Sequence, residues 1–439
     1  MFSNPLVATL HAWMSIIGVF AVATVSLRWE HSLWACSYLC GCEVLWRAAG
    51  AVFLWEGAKY GIIAVAVITL IRYPQAKKSM WPLVYIGALA PGSIATAYLE
   101  PFAQARQLLS ANCSGPIVLA ICCLAFGGRI TSQRDVARCL LAFVGPTFAL
   151  GITASLGAVS LSADSFQTSS NFEASAGYGP NQVATTLAFS ALAMFLITAF
   201  ETRDRGTQAL CFALSIYFVS QSSITFSRSG LYVFGISLMI SLPSLLRLKR
   251  VRYVLIGGCI ICTLGMGLAY SKLNRFTEGK LSARFEDTRG TGRDQIAAGD
   301  LQVAWETFPW GAGVGRGRDL RRQLTGESRL AHTEYTRMLS EHGVLGLFAL
   351  LCLVYAAGNT LLALKDPLNA GWSAAMLTFS LLFMLVSATR LALPGLAFAL
   401  ALLKLRFELR ILNRAPIFKG SEQRGSITRD SPYLTKPRH

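Results

Sequence analysis

The chain has few charged residues for its length, and it lacks two motifs that are typical of metal-dependent enzymes. Only 14% of its 439 residues are Asp, Glu, Lys or Arg, whereas 53% are hydrophobic, a balance that excludes an ordinary soluble globular protein. Neither a DxD nor an HExxH motif occurs anywhere in the sequence. The composition is that of a protein embedded in a membrane.

Apolar segments recur from one end of the chain to the other, each about 17–25 residues long and so able to cross a bilayer as a helix. They predict an all-α polytopic membrane protein with twelve spans, near 6–27, 57–71, 81–99, 107–127, 139–160, 181–200, 209–226, 231–246, 253–270, 343–363, 371–389 and 391–404. Residues 28–56 fit either an interfacial helix or a thirteenth span, because charged side chains interrupt their apolar stretch.

Basic residues outnumber acidic ones by 40 to 23, which gives a net charge of +17. They gather in alternate loops and in the tail, at 72–78, 129–138, 203–205, 247–252 and 405–439. The positive-inside rule places these clusters in the cytoplasm. Because the excess follows topology and no basic stripe alternates with aromatics, nucleic acid is not an expected partner.

The segment 271–342 departs from this pattern, since topology places it outside although it holds twelve Lys and Arg. Loops of more than about 60 residues escape the charge rule. All eleven cysteines lie in or beside apolar segments, so no disulfide framework is predicted. The predicted organisation is nine spans in 1–270, a long outer loop in 271–342, three spans in 343–404 and a basic cytoplasmic tail in 405–439.

Two stretches of the outer loop have helix signals. Thr291 and Gly292 can cap a helix that begins with Arg293 and runs to about Phe308. An arginine there can join free backbone N–H groups in holding a phosphate, although a solvated arginine beside Asp294 fits the spacing equally.

The second stretch carries a histidine from this polar loop to the start of an apolar run. Thr333 is a plausible N-cap, and Gly343 suits the end of the helix that follows. His332 therefore lies just before a first helical turn, where it is either a proton acceptor at the membrane surface or a structural residue. His332 and His342 are ten residues, or about 15 Å, apart along a helix and cannot share a metal ion.

Arg228 interrupts two apolar runs joined by a very short turn. Such a charge costs about 2.5–3.5 kcal/mol at mid-membrane and less near the interface. It either anchors the helix at the interface or binds an anionic head group.

Five short motifs share one order along the chain: GYGPNQVATTL at 177–187, SRSG at 227–230, GRDQ at 292–295, FPWGAGVG at 308–315, and His332-Thr333 followed by Gly343 and Gly346. Together they resemble the O-antigen ligase and O-antigen polymerase superfamily. The resemblance is strongest over about 177–347, and the N-terminal third matches only in hydropathy. Thr333 departs from the family, which more often has Asn, Gln or Ser there.

The resemblance implies a GT-C-like, metal-independent glycosyltransferase of the bacterial inner membrane that needs no cofactor and whose active site faces the periplasm. Such an enzyme takes a glycan from undecaprenyl diphosphate and joins it to a hydroxyl of an acceptor glycan, lipid A-core or protein. On this interpretation His332 is the general base, while Arg228 and Arg293 hold the diphosphate. Looser substrate contacts are assigned to Arg316, Arg318, Asn181 and Tyr335.

Three alternatives stay open at this point. Ligase and polymerase need the same base and diphosphate site, so the motifs do not separate them. A polysaccharide transporter or flippase would also be polytopic and basic, although no pair of matching broken helices is evident. Glu30, which follows the first span, is the residue that a metal-dependent mechanism would use instead.

Overall fold

In a computed structural model of the chain, the described residues are 4–75, 79–159, 161, 170–200, 204–249, 252–286 and 292–406. The predicted cytoplasmic tail lies outside them from residue 407 onward, as does the predicted capping residue Thr291. The described part is almost entirely helical, with one pair of short strands.

The helices are α1 (Pro5–Val25), α2 (Trp29–Ala48), α3 (Gly57–Arg72), α4 (Trp81–Leu99), α5 (Phe102–Phe126), α6 (Gln133–Val159), α7 (Pro180–Phe200), α8 (Arg205–Ile224), α9 (Arg228–Leu245), α10 (Arg252–Phe276), α11 (Lys280–Glu286), α12 (Arg293–Glu306), α13 (Gly317–Thr325), α14 (Glu334–Ala363), α15 (Pro367–Ser387) and α16 (Leu393–Ala401). A 3-10 helix covers Glu173–Ser175. The strands are β1 (Ile130–Ser132) and β2 (Lys404–Arg406), which pair in parallel.

Side chains at several helix starts explain where those helices begin. Asn4 accepts a hydrogen bond from the backbone N–H of Leu6 at 2.9 Å, and Asp366 accepts one from Asn369 at 2.9 Å. Each supplies a partner to a backbone donor that the helix itself cannot satisfy, which is worth about 1 kcal/mol.

Within the described residues, nine helices are long and apolar enough to cross a membrane: α1, α4, α5, α6, α7, α9, α10, α14 and α15. Each coincides with one of the twelve predicted segments, so the prediction of an all-α, multi-pass membrane protein is confirmed in its general form. The other three predicted segments correspond to α3, with 16 residues, α8, which is more polar, and α16, with only nine residues. At 1.5 Å per residue, α16 is about 14 Å long and too short to span a bilayer alone.

The ambiguous segment 28–56 contains α2, whose side chains are mostly buried between α1, α3 and α6. Its 20 residues extend about 30 Å, the thickness of a hydrocarbon core. An interfacial helix would expose a polar face to water. The burial of α2 therefore favours a further membrane-crossing element over an interfacial one.

Basic loops meet at one end of the bundle, here called the basic end. Arg72 donates to the carbonyl of Ala23 at 2.7 Å, and Arg129 donates to the carbonyl of Tyr73 at 2.5 Å. Arg28 forms an ion pair with Asp135 at 2.8 Å. The paired strands β1 and β2 bring residues 404–406 to the same end. This clustering is the arrangement that the positive-inside rule predicts for one membrane face.

The predicted start of α14 is present, but at Gly343, where the helix was predicted to end, it bends and continues to Ala363. The Thr333 side chain accepts a hydrogen bond from the N–H of Tyr335 at 3.3 Å, as expected of an N-cap. Gly343 has a φ of 57°, and any Cβ at this position would collide with the backbone of Pro309. Glycine is therefore required where the helix bends against the segment that follows α12.

Candidate active site

Three of the sequence motifs meet at the side chain of Asn181, in the first turn of α7. Its Oδ1 atom accepts hydrogen bonds from Nη2 of Arg293 at 3.0 Å and from Oγ of Ser227 at 2.6 Å. Oγ of Ser229 lies 3.4 Å from the same oxygen. These hydrogen bonds join the starts of α7, α9 and α12. More than 100 residues of sequence separate the start of α7 from the start of α12.

Arg228 is the first residue of α9 and follows directly on Ser227, the N-cap. The two seryl groups on either side of Arg228 are buried and 2.7 Å apart, and the arginine itself is half-buried. Arg228 and Arg293 each stand at the first position of a helix, so their guanidinium groups accompany free backbone N–H groups there. The guanidinium groups and the backbone N–H groups of the two helix starts both favour the binding of an anion at this junction.

His332 is half-buried in the segment that leads into α14. Neither of its ring nitrogens forms a hydrogen bond with any part of the chain that the structure describes, so both remain available to a substrate. Burial, and then the charges of nearby arginines, lower the pKa of His332 to about 4. The arginines that contribute are Arg293, Arg390, Arg329 and Arg321. At neutral pH the imidazole is therefore uncharged and able to accept a proton.

A buried ion pair holds the segment before His332 in place. Arg321 of α13 and Asp300 of α12 are each 1% exposed, and Nη1 of Arg321 donates to Oδ1 of Asp300. Arg321 also donates to the carbonyl of Arg329, while Oδ2 of Asp300 accepts from Oγ1 of Thr336 at 3.0 Å. Together these contacts link α12, α13 and α14 around the histidine.

Replacement of Arg321 by alanine is expected to lower the free energy of unfolding by about 3–5 kcal/mol, because it leaves the Asp300 carboxylate buried without a counter-charge. Arg322, the exposed neighbour on the same helix, provides a matched control. Thermal unfolding of both variants in the same detergent would measure the difference. Equal melting temperatures for Arg321→Ala and Arg322→Ala would show that the pair does not stabilise this region.

A second buried cluster connects the start of α14 to the turn between α15 and α16. Arg337 contacts Glu334 at 2.6 Å and Glu341 at 2.7 Å. Glu334 in turn accepts hydrogen bonds from the N–H and the hydroxyl of Thr389, at 3.0 and 2.8 Å. The cluster fixes the position of the next residue, Arg390.

Arg390 is half-buried and donates through Nη2 to the carbonyl of Ala331, the residue before His332. Burial lowers the pKa of Arg390 to about 10, so the group is still protonated at neutral pH. Sequence reasoning missed this residue. The signal was present, since Arg390 separates the apolar runs 371–389 and 391–404 just as Arg228 separates two others.

A cavity of about 590 Å³ opens beside this group of arginines. Its arginine side is formed by Arg318, Arg321, Arg337 and Arg390, together with Ala331. Its volume lies within the range of about 300–1,000 Å³ that small-molecule sites occupy. The cavity reaches Ala331, the residue before His332, from the end of the bundle opposite the basic end, but its lining includes neither His332 nor Arg228, Arg293 and Asn181.

The four residues assigned to looser substrate contacts are placed differently. Arg318 is exposed and lines the cavity, and Asn181 lies in the motif junction. Arg316 is bound to Glu100 at 2.7 Å and to the carbonyl of Ala312 at 2.9 Å. The hydroxyl of Tyr335 donates to the carbonyl of Leu381 at 3.0 Å. The last two residues make contacts that hold the scaffold together.

Glu30 lies far from the cavity. It is at the start of α2, beside Arg28 at the basic end, whereas Arg47 near the other end of that helix lines the cavity. Seventeen residues of helix separate Glu30 from Arg47, a rise of about 26 Å. Elsewhere too, the part of the chain that the structure describes brings no three His, Cys, Asp or Glu side chains together as a potential metal site.

No family model and no curated protein matches this sequence. Function must therefore be inferred from the residues and their geometry. The geometry offers a neutral histidine and two arginines at helix starts that can bind an anion. It also offers a cavity that is lined in part by arginine side chains. A proton acceptor beside a cationic site suits the transfer of a group whose leaving portion is an anion.

Proposed function

We propose that the protein is a glycosyltransferase of the bacterial inner membrane that transfers a glycan from undecaprenyl diphosphate to an acceptor hydroxyl, in the manner of O-antigen ligases. The observation that carries the proposal is the convergence at Asn181. Asn181 binds both Arg293 and Ser227, the residue before Arg228. The charge of Arg293 also contributes to the lowered pKa of His332. The acceptor is the hydroxyl of a glycan, of lipid A-core or of a protein, reached from the periplasm.

The proposed reaction needs one proton acceptor and one anion site. A ring nitrogen of His332 takes the proton of the acceptor hydroxyl while its oxygen attacks the anomeric carbon of the glycan. The bond from that carbon to the diphosphate oxygen breaks, and undecaprenyl diphosphate leaves with the electron pair. Arg228 and Arg293 stabilise the charge that develops on it, the electrostatic task that a divalent metal performs in other enzymes. Attack opposite the leaving group inverts the anomeric centre.

The pH dependence of the reaction follows from the charges around His332. Bound diphosphate offsets the arginine charges, so the pKa of His332 is expected to rise above about 4 in the complex. His332 must be neutral to act, so transfer is lost as the pH falls through that pKa. The pH profile of kcat reports the enzyme–substrate complex, and the profile of kcat/KM reports the free enzyme. The acidic limb, where activity is lost as the pH falls, should therefore lie at higher pH in the profile of kcat than in that of kcat/KM.

Steady-state kinetics of the purified protein, taken from about pH 4 to pH 8, would measure both limbs. If the two limbs coincide, or if the limb of kcat lies at the lower pH, the diphosphate does not bind close enough to His332 to affect its titration.

Transfer of glycan from its lipid carrier by the purified protein in lipid vesicles tests the function itself. The expected result is a new glycosidic bond, with free undecaprenyl diphosphate as the other product, and this activity should persist in EDTA. Movement of the carrier across the bilayer without bond formation would indicate a transporter or flippase instead. Activity that EDTA abolishes and Mg²⁺ or Mn²⁺ restores would contradict the metal-independent mechanism.

A polymerase of the same superfamily is the alternative within this reaction class, because joining two carrier-linked repeats needs the same base and the same diphosphate site. Mass spectrometry of glycans from a deletion strain separates the two. Long chains that remain on the carrier indicate a lost ligase, and single repeats on the carrier indicate a lost polymerase.

A further inference from the structure

One part of the cavity lining takes no part in the proposed chemistry. This surface, here called the amide wall, consists of residues from the loop before α3, from α5 and from the start of α7: Trp55, Gln104, Gln107, Asn112, Tyr178 and Gln182. We propose that the amide wall binds a sugar unit of one of the two glycan substrates and so contributes to substrate selection. This assignment rests on the proposed function and deepens it.

The polar groups of the amide wall match sugar hydroxyls. Gln104, Gln107 and Ala111 are spaced at i, i+3 and i+7, which places them on one face of α5, and all three are exposed. Neither glutamine amide is hydrogen-bonded to any of the described residues. An amide both donates and accepts hydrogen bonds, as a hydroxyl does, so the two free amides of Gln104 and Gln107 suit a ligand covered with hydroxyls. The Asn112 amide already donates to the carbonyl of Leu108 at 2.9 Å.

The aromatic side chains of the wall are already held in position. Trp55 is 63% exposed, and the guanidinium carbon of Arg47 lies 4.9 Å from the centre of its ring. Arg47 also donates to the Trp55 carbonyl at 2.9 Å and to the Tyr178 hydroxyl at 3.1 Å. A ring face carries partial negative charge, which attracts the C–H bonds on the flat side of a pyranose. Little rotamer entropy is lost when a ligand meets an aromatic that is held in this way.

Charged groups beside the wall, of which Arg47 and Glu56 also line the cavity, are paired with one another. Arg47 contacts Glu43 at 2.9 Å and Glu56 at 3.2 Å, and Lys59 contacts Glu56 at 2.6 Å. Because these cations already have carboxylate partners, a phosphate or carboxylate placed here would have to compete with them. The wall therefore suits hydroxyls better than anionic groups, and the proposed chemistry assigns the diphosphate of the donor to Arg228 and Arg293.

Most of the wall lies outside the region that resembles known ligases and polymerases. Trp55, Gln107 and Asn112 belong to the N-terminal third, which shares only hydropathy with those proteins. Residues that set substrate preference are expected to differ among enzymes that share one chemistry. The position of the wall, mostly outside the five motifs but within the same cavity as Arg390, fits that expectation.

The test measures binding and transfer separately for Trp55→Ala, Gln107→Ala and the conservative variant Trp55→Phe. The binding probe is the oligosaccharide released by mild acid from the host's own carrier lipid, titrated onto the purified full-length protein by calorimetry. The matched controls are Trp305→Ala and Gln302→Ala, which alter exposed residues on α12 that do not line the cavity. Gln107→Ala changes only an exposed helix face, so it remains informative if Trp55→Ala fails to fold.

We expect KM for one glycan substrate to rise about tenfold in Trp55→Ala and severalfold in Gln107→Ala, with kcat nearly unchanged and with Trp55→Phe close to wild type. A raised KM for the carrier-linked glycan, accompanied by weaker binding of the released oligosaccharide, assigns the wall to the donor. A raised KM for the acceptor alone assigns it to the acceptor.

The two proposals fail in distinguishable ways. Active variants that keep the wild-type KM for both substrates, or that change no more than the α12 controls, would refute the saccharide site and leave the transferase intact. A wild-type protein that binds the oligosaccharide but forms no glycosidic bond would refute the transferase, and in that case weaker binding in Trp55→Ala would still support the site. Absence of both binding and transfer in the wild type would refute both.

Discussion

Replacement of His332 by alanine is expected to reduce the rate of glycan transfer by about 10²–10⁴, the contribution typical of a general base. The ring is half-buried beside Arg293 and keeps both nitrogens free of hydrogen bonds to the described residues. Alanine removes the proton acceptor without leaving a buried charge or an orphaned partner. Expression, membrane insertion and thermal unfolding should therefore stay close to those of the wild type.

His31 offers a matched control for this measurement. It is also half-buried, but it lies near the start of α2 at the basic end, where its ring contacts Ser26 at 2.7 Å. His31→Ala should transfer glycan at a rate close to that of the wild type. Purified His332→Ala with near-normal turnover would remove His332 from the mechanism and shift attention to acidic groups on the cavity wall, such as Glu341.

Local and periodic features of the fold were predictable from sequence because short-range physics determines them. A run of apolar residues must form a helix in lipid, since no water is present there to satisfy its backbone, and nine such runs are spanning-length helices in the part of the chain that the structure describes. Thr333 caps α14 as expected, because a cap depends on a single side chain, whereas Gly343, predicted to end the helix, bends it instead. The short helices α11 and α13 were missed, since they have only seven and nine residues.

Charged segments were harder to interpret from sequence. In α2, Glu43 and Arg47 left the choice between an interfacial helix and a further span open, yet they pair with each other and Glu43 accepts the backbone N–H of Ala392 at 2.7 Å. A partner 349 positions away cannot be seen in a local window. The net cost of burying a charge depends on such partners, so hydropathy alone overestimated it.

The site was predictable only where a motif marked it. His332, Arg293 and Asn181 were proposed as site residues from motifs, and the structure brings Arg293 and Asn181 into direct contact. Arg390 lies outside every motif, although it donates to the carbonyl of Ala331 next to the histidine. The rule that drew attention to Arg228, a cation between two apolar runs, applies equally to Arg390 and would have found it.

The diphosphate site should be sensitive to exchange of arginine for lysine at positions 228 and 293. Lysine keeps the charge but loses the forked donors that bind two phosphate oxygens together. At position 293 it also removes the nitrogen that binds Asn181 at 3.0 Å, so the new side chain would be held less firmly. We expect kcat to fall by about tenfold or more in each variant, within the limit of about 10²–10³ for complete loss of one such donor.

The corresponding variants at positions 316 and 318 are the matched comparison, because all four arginines lie at or beside helix starts. Arg316 is occupied by Glu100, and exposed Arg318 donates to the carbonyl of Ser328 at 2.6 Å, so lysine at either position should lower kcat by less than about threefold. The transfer rate at saturating carrier lipid, measured across the four variants, tests this order. If Arg228→Lys and Arg293→Lys turn over like the wild type while the Arg316 and Arg318 variants fail, the anion binds at the glycine-rich segment before α13. The junction at Asn181 would then be a structural contact between three helix starts.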